Sequence, residues 1–278
     1  MASWTQRILI LCKTYPSPSE RYSETSCVAG VTEEGVLIRL FPVPFRLVAD
    51  DQQFSKWQWI RARVEKAKDD HRPESHRIFV DGIECEPAPL APGKEGWPRR
   101  MQALKDIPIF SDFAAVEAAR IKHGTTLALL RPSRITRLEI KPAANPEWTE
   151  QEKAKLTRLQ QQSSLFSEEE SKRDVALLEK IPFDFYYHYE CEVGGEVRSY
   201  RHKLVDWEAG ALYRKLRKQH GPDGWEEPFR SKFERDLPSR DLLLLLGTIH
   251  RFPDQWLAVS VFSPPRPQPE NQDQGSLF

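Results

Sequence analysis

Asp69-Asp70-His71-Arg72-Pro73-Glu74-Ser75-His76 is the densest run of potential metal ligands in the chain. Carboxylates beside a histidine suit Mg2+ or Mn2+, and with them phosphodiester hydrolysis. The run lies in one loop, whereas catalytic metal centres gather ligands from several elements. A charged loop braced by Arg72 and Arg77 is the preferred reading, and no metal or cofactor is assigned. Asp206 and Glu208 form a second carboxylate pair, at positions that also suit a helix N-cap and its first turn. Cys27 has no identifiable base, and the chain has no Walker motif, no Gly-x-Ser-x-Gly and no His-Glu-x-x-His. Binding is therefore preferred over catalysis, with no catalytic residue assigned. A carboxylate cluster joining the Asp70 loop to Asp206 or Glu208 would reverse that preference.

Cations near aromatic rings point to nucleic acid. Trp59, Arg61 and Arg63 share one face of an alternating strand; Lys13 and Tyr15 end the first strand; Arg39 lies with Leu37 and Phe41. On small barrels, bases stack on Trp or Tyr while Arg and Lys meet phosphate. Lys plus Arg total 41 and Asp plus Glu total 41, so any such surface is a local patch on a neutral chain. A second patch follows from Gly194-Gly195, a two-residue hairpin turn. Pairing Val193 with Glu196 sets the register: Tyr186 opposite Lys203, His188 opposite Arg201, Glu190 opposite Ser199. Those residues share a polar face, either a ligand surface or a solvated sheet. Phe183, Phe185, Tyr187, Tyr189 and Leu204 share the other, with His202 opposite Tyr187 as a half-buried histidine.

Gln-x-Ser-Leu-Phe occurs twice, as Gln162–Phe166 and Gln274–Phe278. Leu165-Phe166 and Leu277-Phe278 are adjacent apolar anchors, and Gln162 and Gln274 each offer a donor and an acceptor to orient an extended peptide. The two segments resemble the pentapeptide by which bacterial polymerases and mismatch-repair proteins bind the ring-shaped sliding clamp. Ser163 and Gly275 stand where that pattern commonly has Leu. The resemblance implies the clamp as a partner, and two copies suit a ring with repeated pockets.

The elements that must position these residues alternate in character. Residues 7–90 contain five short strand patterns, enough for a small barrel. Trp97–Lys105 and Asp112–Lys122 have helical period, with Gly124 as a stop. Thr125–Leu130 and Ile135–Ile140 return to strand character and are expected to close a first domain, residues 1–140. A polar helical connector follows over 141–179, opened by Pro142, Asn145 and Pro146, with capping boxes at Thr149-Glu150-Gln151-Glu152 and Ser167-Glu168-Glu169-Glu170. Residues 180–262 make a second domain, and 263–278 a Pro/Gln-rich flexible tail. Leu242–Leu246 is the longest apolar run, far short of a membrane span, and four cysteines without metal-finger spacing suit reduced thiols in a cytoplasmic protein.

Several stretches carry a wider likeness: Lys13–Ser19, Tyr22–Cys27, Ile38–Arg46, Arg72–Ser75 and His250–Pro253. They resemble a bacterial family described as carrying two OB-like domains. The resemblance implies OB-like topology and nucleic-acid binding, and no activity. The fold expected is β-rich α+β, with two small OB-like barrel or sheet domains joined by the helical connector. The function expected is a cytoplasmic accessory protein that binds DNA, single-stranded or at junctions, and is recruited by the sliding clamp in replication, repair or phage defence. The alternatives are a clamp-tethered metal-dependent nuclease and a non-catalytic adaptor.

Overall fold

The computed structural model describes residues 2–20, 23–157 and 178–266. Strand β1 (Trp4–Lys13) buries four consecutive apolar side chains, Ile8 to Leu11. Alternation sends Ile8 and Ile10 into one core and Leu9 and Leu11 into another. β1 pairs with β3 (Ser23–Thr32) on one side and β5 (Trp59–Lys66) on the other. β3 continues to β4 (Leu37–Val43), which runs parallel to β6 (Ser75–Cys85), and β6 returns to β5. The ring β1–β3–β4–β6–β5 is a closed five-stranded barrel of OB type, with short β2 (Ser17–Ser19) added beside β3. Gly30 permits the close β1–β3 approach: a Cβ there would lie 2.5 Å from Ile8 Cγ2.

The second sheet runs, in spatial order, β7 (Ile109–Phe110), β8 (Leu127–Leu130), β12 (Leu243–Ile249), β13 (Phe252–Phe262), β11 (Glu196–Leu204), β10 (Phe183–Val193) and β9 (Arg134–Pro142). Arg131-Pro132-Ser133 separate β8 from β9, so the two act as halves of one bent strand. One half pairs with β12 and the other with β10. With β8–β9 counted as one, the strand order repeats that of the first barrel, β11–β13 being the parallel step. Helix α1 (Trp97–Ala103) precedes this sheet, α2 (Phe113–His123) lies between β7 and β8, and α3 (Trp207–Gly224) links β11 to β12. Asp206 caps α3, its carboxylate accepting from the Glu208 amide at 2.9 Å. Strands form at both stretches expected to close the first domain, as Leu127–Leu130 and Arg134–Pro142, but they belong to the second sheet and do not close that domain. Leu127–Leu130 is apolar on both faces and suits either barrel, so nothing local selects its partner.

A third hydrophobic layer joins the barrels. Leu9, Leu11 and Val31 from the first meet Leu129, Leu243, Leu245 and Phe262 from the second. The run Leu242–Leu246 is thereby explained: Leu243 and Leu245 face this layer, while Leu242, Leu244 and Leu246 fill the second barrel. Two buried guanidiniums cross the seam to backbone carbonyls, Arg39 to Thr126 at 3.0 Å and Arg72 to Thr248 at 2.6 Å. No helix among the described residues is long and apolar enough to cross a membrane, and the four cysteines form no disulfide.

The β10–β11 hairpin has the register expected from its turn, with Gly194 at φ 62° and Gly195 at φ 85°. His202 is buried, its Nδ1 3.0 Å from Tyr189 Oη, and burial pushes its imidazole down to about 4 against an opposing pull from Glu117. An unfolded histidine titrates near 6.5. As pH falls, the unfolded chain therefore binds the proton first, and stability present above about pH 6.5 is lost on the way down to about pH 4. The expected loss is about 3 kcal/mol, read as the difference in urea stability between the ends of that window. His202→Gln is expected to flatten this part of the profile; an unchanged slope would refute the assignment.

Candidate nucleic-acid interface

Trp59, Arg61 and Arg63 lie together on the outer face of β5, with Arg61 and Arg63 exposed and Trp59 half-buried. Arg7, opposite Arg61 in register, places its guanidinium 4.2 Å above the Trp59 ring and pairs with Glu86 at 2.6 Å. Arg63 covers the Phe79 ring at 4.1 Å. Each ring thus has a guanidinium on it already, so this face offers cations for phosphate more than bare platforms for bases.

Lys13, Tyr15 and Arg39, expected to contact nucleic acid, are instead engaged within the protein. Arg39 is 3 % exposed and bonds Glu74 at 3.0 Å and the Thr126 carbonyl. Lys13 Nζ sits 3.4 Å over the Phe45 ring and donates to the Phe54 carbonyl at 2.9 Å. Burial pushes its ammonium down to about 8, against Glu208 and Asp206. Tyr15 donates its hydroxyl to the Glu179 carbonyl and packs beside Trp207. Alternation identifies a shared face and is silent on what covers it: Phe45 and Phe54 of the first barrel cover Lys13, while Thr126 and Glu179 of the second unit receive Arg39 and Tyr15.

Tyr186, His188, Arg201 and Lys203 do share the outer face of β10 and β11, and β9 extends that face. Glu139 of β9 organises it, receiving His188 Nε2 at 2.6 Å, Arg201 Nε at 2.8 Å and Lys141 Nζ at 2.9 Å. The Arg201, His188 and Lys141 hydrogen bonds hold the Glu139 carboxyl well below the usual carboxylate range. Arg201 also lies 3.6 Å over the Tyr186 ring, and Lys203 pairs with Asp184 at 2.7 Å. Most of the face's cations are thus already matched to carboxylates of the same sheet.

Asp70, His71 and His250 bring ligand atoms within 4.8 Å of one another. Asp70, however, is engaged through both oxygens by Arg72, Nε at 2.9 Å to one and Nη2 at 2.6 Å to the other, while His250 Nδ1 stands 3.1 Å away. Burial pushes the Asp70 carboxyl up, but the hydrogen bonds and charge of Arg72 outweigh it and leave the carboxyl well below its usual range. A fixed guanidinium on that carboxylate opposes a second cation, so the cluster fits a salt-bridged brace better than a metal centre. Of the two arginines expected to brace the loop, Arg72 does so, and Arg77 pairs with Glu65 on the neighbouring strand. Asp206 and Glu208 gather around Lys56, at 3.6 and 2.7 Å. Among the described residues, the Asp70 loop and the Asp206 pair therefore belong to separate groups, and the carboxylate cluster that would mark a nuclease does not form.

A strongly cationic concavity lies where local sequence pattern does not point. An open groove of about 1120 Å3 runs between the first barrel and α3. Arg46 lines it from the 3-10 turn after β4, Lys180 from the approach to β10, and Arg214, Lys215, Arg217 and Lys218 from α3. Glu179 is the one acidic residue on its wall among the described residues. Arg46 pairs with Glu24 and Lys180 with Glu152, whereas the four α3 cations have no carboxylate partner among the described residues. The close approach of α3 to the first barrel depends on Gly210, where a Cβ would lie 2.9 Å from Tyr15 Cδ2. A signal for it exists: between Glu208 and Asp223 the chain has no Asp or Glu, and it carries the run Arg214-Lys215-Leu216-Arg217-Lys218.

Gln162, Leu165, Phe166, Gln274, Leu277 and Phe278, the clamp-like residues, lie outside the described residues. A family model described as a domain of unknown function, DUF8757, matches residues 111–278, and a second, DUF8758, matches residues 4–106. The division between them falls close to the start of β7, where the second sheet begins. A search of curated proteins finds no match.

Proposed function

Starting from a chain that belongs to the DUF8757 family, we propose a cytoplasmic DNA-binding accessory protein that holds single-stranded or junction DNA in its cationic groove. The sliding clamp delivers it to sites of replication, repair or genome defence. The groove is the observation that carries this reading. On a chain of zero net charge, six cations and one carboxylate among the described residues line a single concavity. Arg214, Arg217 and Lys218 are spaced three and four residues apart and so recur along one helix face, as a repeated array of phosphates requires.

The test is fluorescence anisotropy with single-stranded, duplex and forked DNA across a salt series. Neutralising about four to six phosphates predicts a log–log salt slope of about −3 to −4 on single strands. Failure to bind any of the three at low salt overturns the reading. The clamp tether rests on the two Gln-x-Ser-Leu-Phe segments. Removing Leu277 and Phe278 is expected to weaken clamp pulldown, and replacing Leu165 and Phe166 as well is expected to abolish it. Full retention by the doubly altered chain would dispose of the tether while leaving DNA binding untouched.

A further inference from the structure

A second concavity, of about 600 Å3, lies where the bent strand β8–β9 turns. Three separate segments supply its walls. Arg131 and Arg134 come from the bend, Arg240 and Asp241 from the loop before β12, and Arg266 from beyond β13. Arg131 grips Asp241 through Nε at 2.9 Å and Nη2 at 3.0 Å, which fastens the bend to the loop and uses the pocket's carboxylate. Arg134 reaches Glu190 at 2.7 Å, yet its side chain stays 69 % exposed. Arg240 and Arg266 have no carboxylate partner among the described residues, and Arg266 Nη2 donates only to the Pro238 carbonyl, at 3.3 Å. Among the described residues the pocket thus presents guanidinium donors in excess of carboxylate, from segments far apart in the chain. Planar forked donors suit tetrahedral oxyanions, which they engage two oxygens at a time.

We propose that this pocket binds a phosphate group of a nucleic-acid strand, with Arg134, Arg240 and Arg266 as its ligands. This rests on the nucleic-acid reading above and adds a second anchoring point, separate from the α3 groove. A strand end and an interior phosphodiester present the same chemistry, and the two are separated by the choice of probe.

The experiment uses the full chain and the double variant Arg240→Ser with Arg266→Ser, both exposed positions whose loss leaves the cores intact. Each binds a single-stranded oligonucleotide carrying either a 5′-phosphate or a 5′-hydroxyl. The variant is expected to lose about tenfold in affinity, and its salt slope to flatten by between about one and two. A loss confined to the 5′-phosphorylated probe assigns the pocket to a strand end; an equal loss on both assigns it to interior phosphate. Unchanged affinity for both overturns the proposal. Should the unmodified chain bind neither probe, the proposed function has failed, and the pocket is judged by tripolyphosphate alone. A rise in Tm that the variant lacks then sustains a phosphate site. Absence of any rise, or a rise given only by an oligo-glutamate peptide, overturns it.

Discussion

Reversing three charges on α3, by Lys215→Glu, Arg217→Glu and Lys218→Glu, is expected to lower affinity for single-stranded DNA by about a hundredfold or more at moderate salt. All three side chains are exposed, and none is tied to a carboxylate among the described residues. Glu is close to Lys and Arg in helix propensity, so the helix itself is little disturbed. Each phosphate left without its cation removes one increment of counterion release, and each introduced carboxylate adds repulsion in the same groove. The salt slope should flatten together with the affinity, which separates fewer neutralised phosphates from a general weakening. Arg61→Glu with Arg63→Glu, on the outer face of β5, is the comparison: if that pair costs more than the α3 triple, the groove is not the principal site. An α3 triple variant that binds within about threefold of the unmodified chain removes the groove from the proposal.

The largest stability effect is expected at Arg39. Its guanidinium is buried against Glu74, itself nearly buried, and it supplies a donor to the Thr126 carbonyl across the barrel seam. Glu74 also accepts from the Thr126 hydroxyl, so three groups depend on one another. Arg39→Ala strands a carboxylate without its counter-charge and is expected to cost about 3 to 5 kcal/mol in urea unfolding. Arg39→Met combined with Glu74→Gln, which removes both charges, should recover a large part of that loss. A double-mutant cycle measures the coupling directly. If Arg39→Ala costs less than about 1 kcal/mol, the seam is held by the leucine layer alone and the buried pair is incidental.

What is legible in the sequence follows local rules. Gly194-Gly195 fixes a turn, the turn fixes a register, and the register places Tyr186, His188, Arg201 and Lys203 on one face. Trp59, Arg61 and Arg63 share a face for the same reason, because period-two alternation is a property of the strand itself. What is not legible depends on long-range packing. Arg39 alternates like a surface residue, but its surface is the seam between barrels. Leu127–Leu130 reads as a strand of the first domain yet pairs in the second sheet, since an all-apolar strand fits any interior. The α3 groove needs two elements from opposite sides of the seam. Its cations are visible as a helix segment without carboxylates, but the concavity that gives them meaning arises only when the barrels meet.

The shared leucine layer bears on how the protein can be dissected. The two family matches divide the chain near residue 110, which invites expression of each half alone. Yet Leu9, Leu11 and Val31 on one side, and Leu129, Leu243 and Leu245 on the other, are completely shielded from water. Cutting there would bare two matching oily surfaces, each seeking cover in self-association. The boundary in the sequence is therefore not a place where the folded molecule comes apart. The halves are separate as sequence modules but share one buried layer, and isolated fragments are expected to report on aggregation before they report on function.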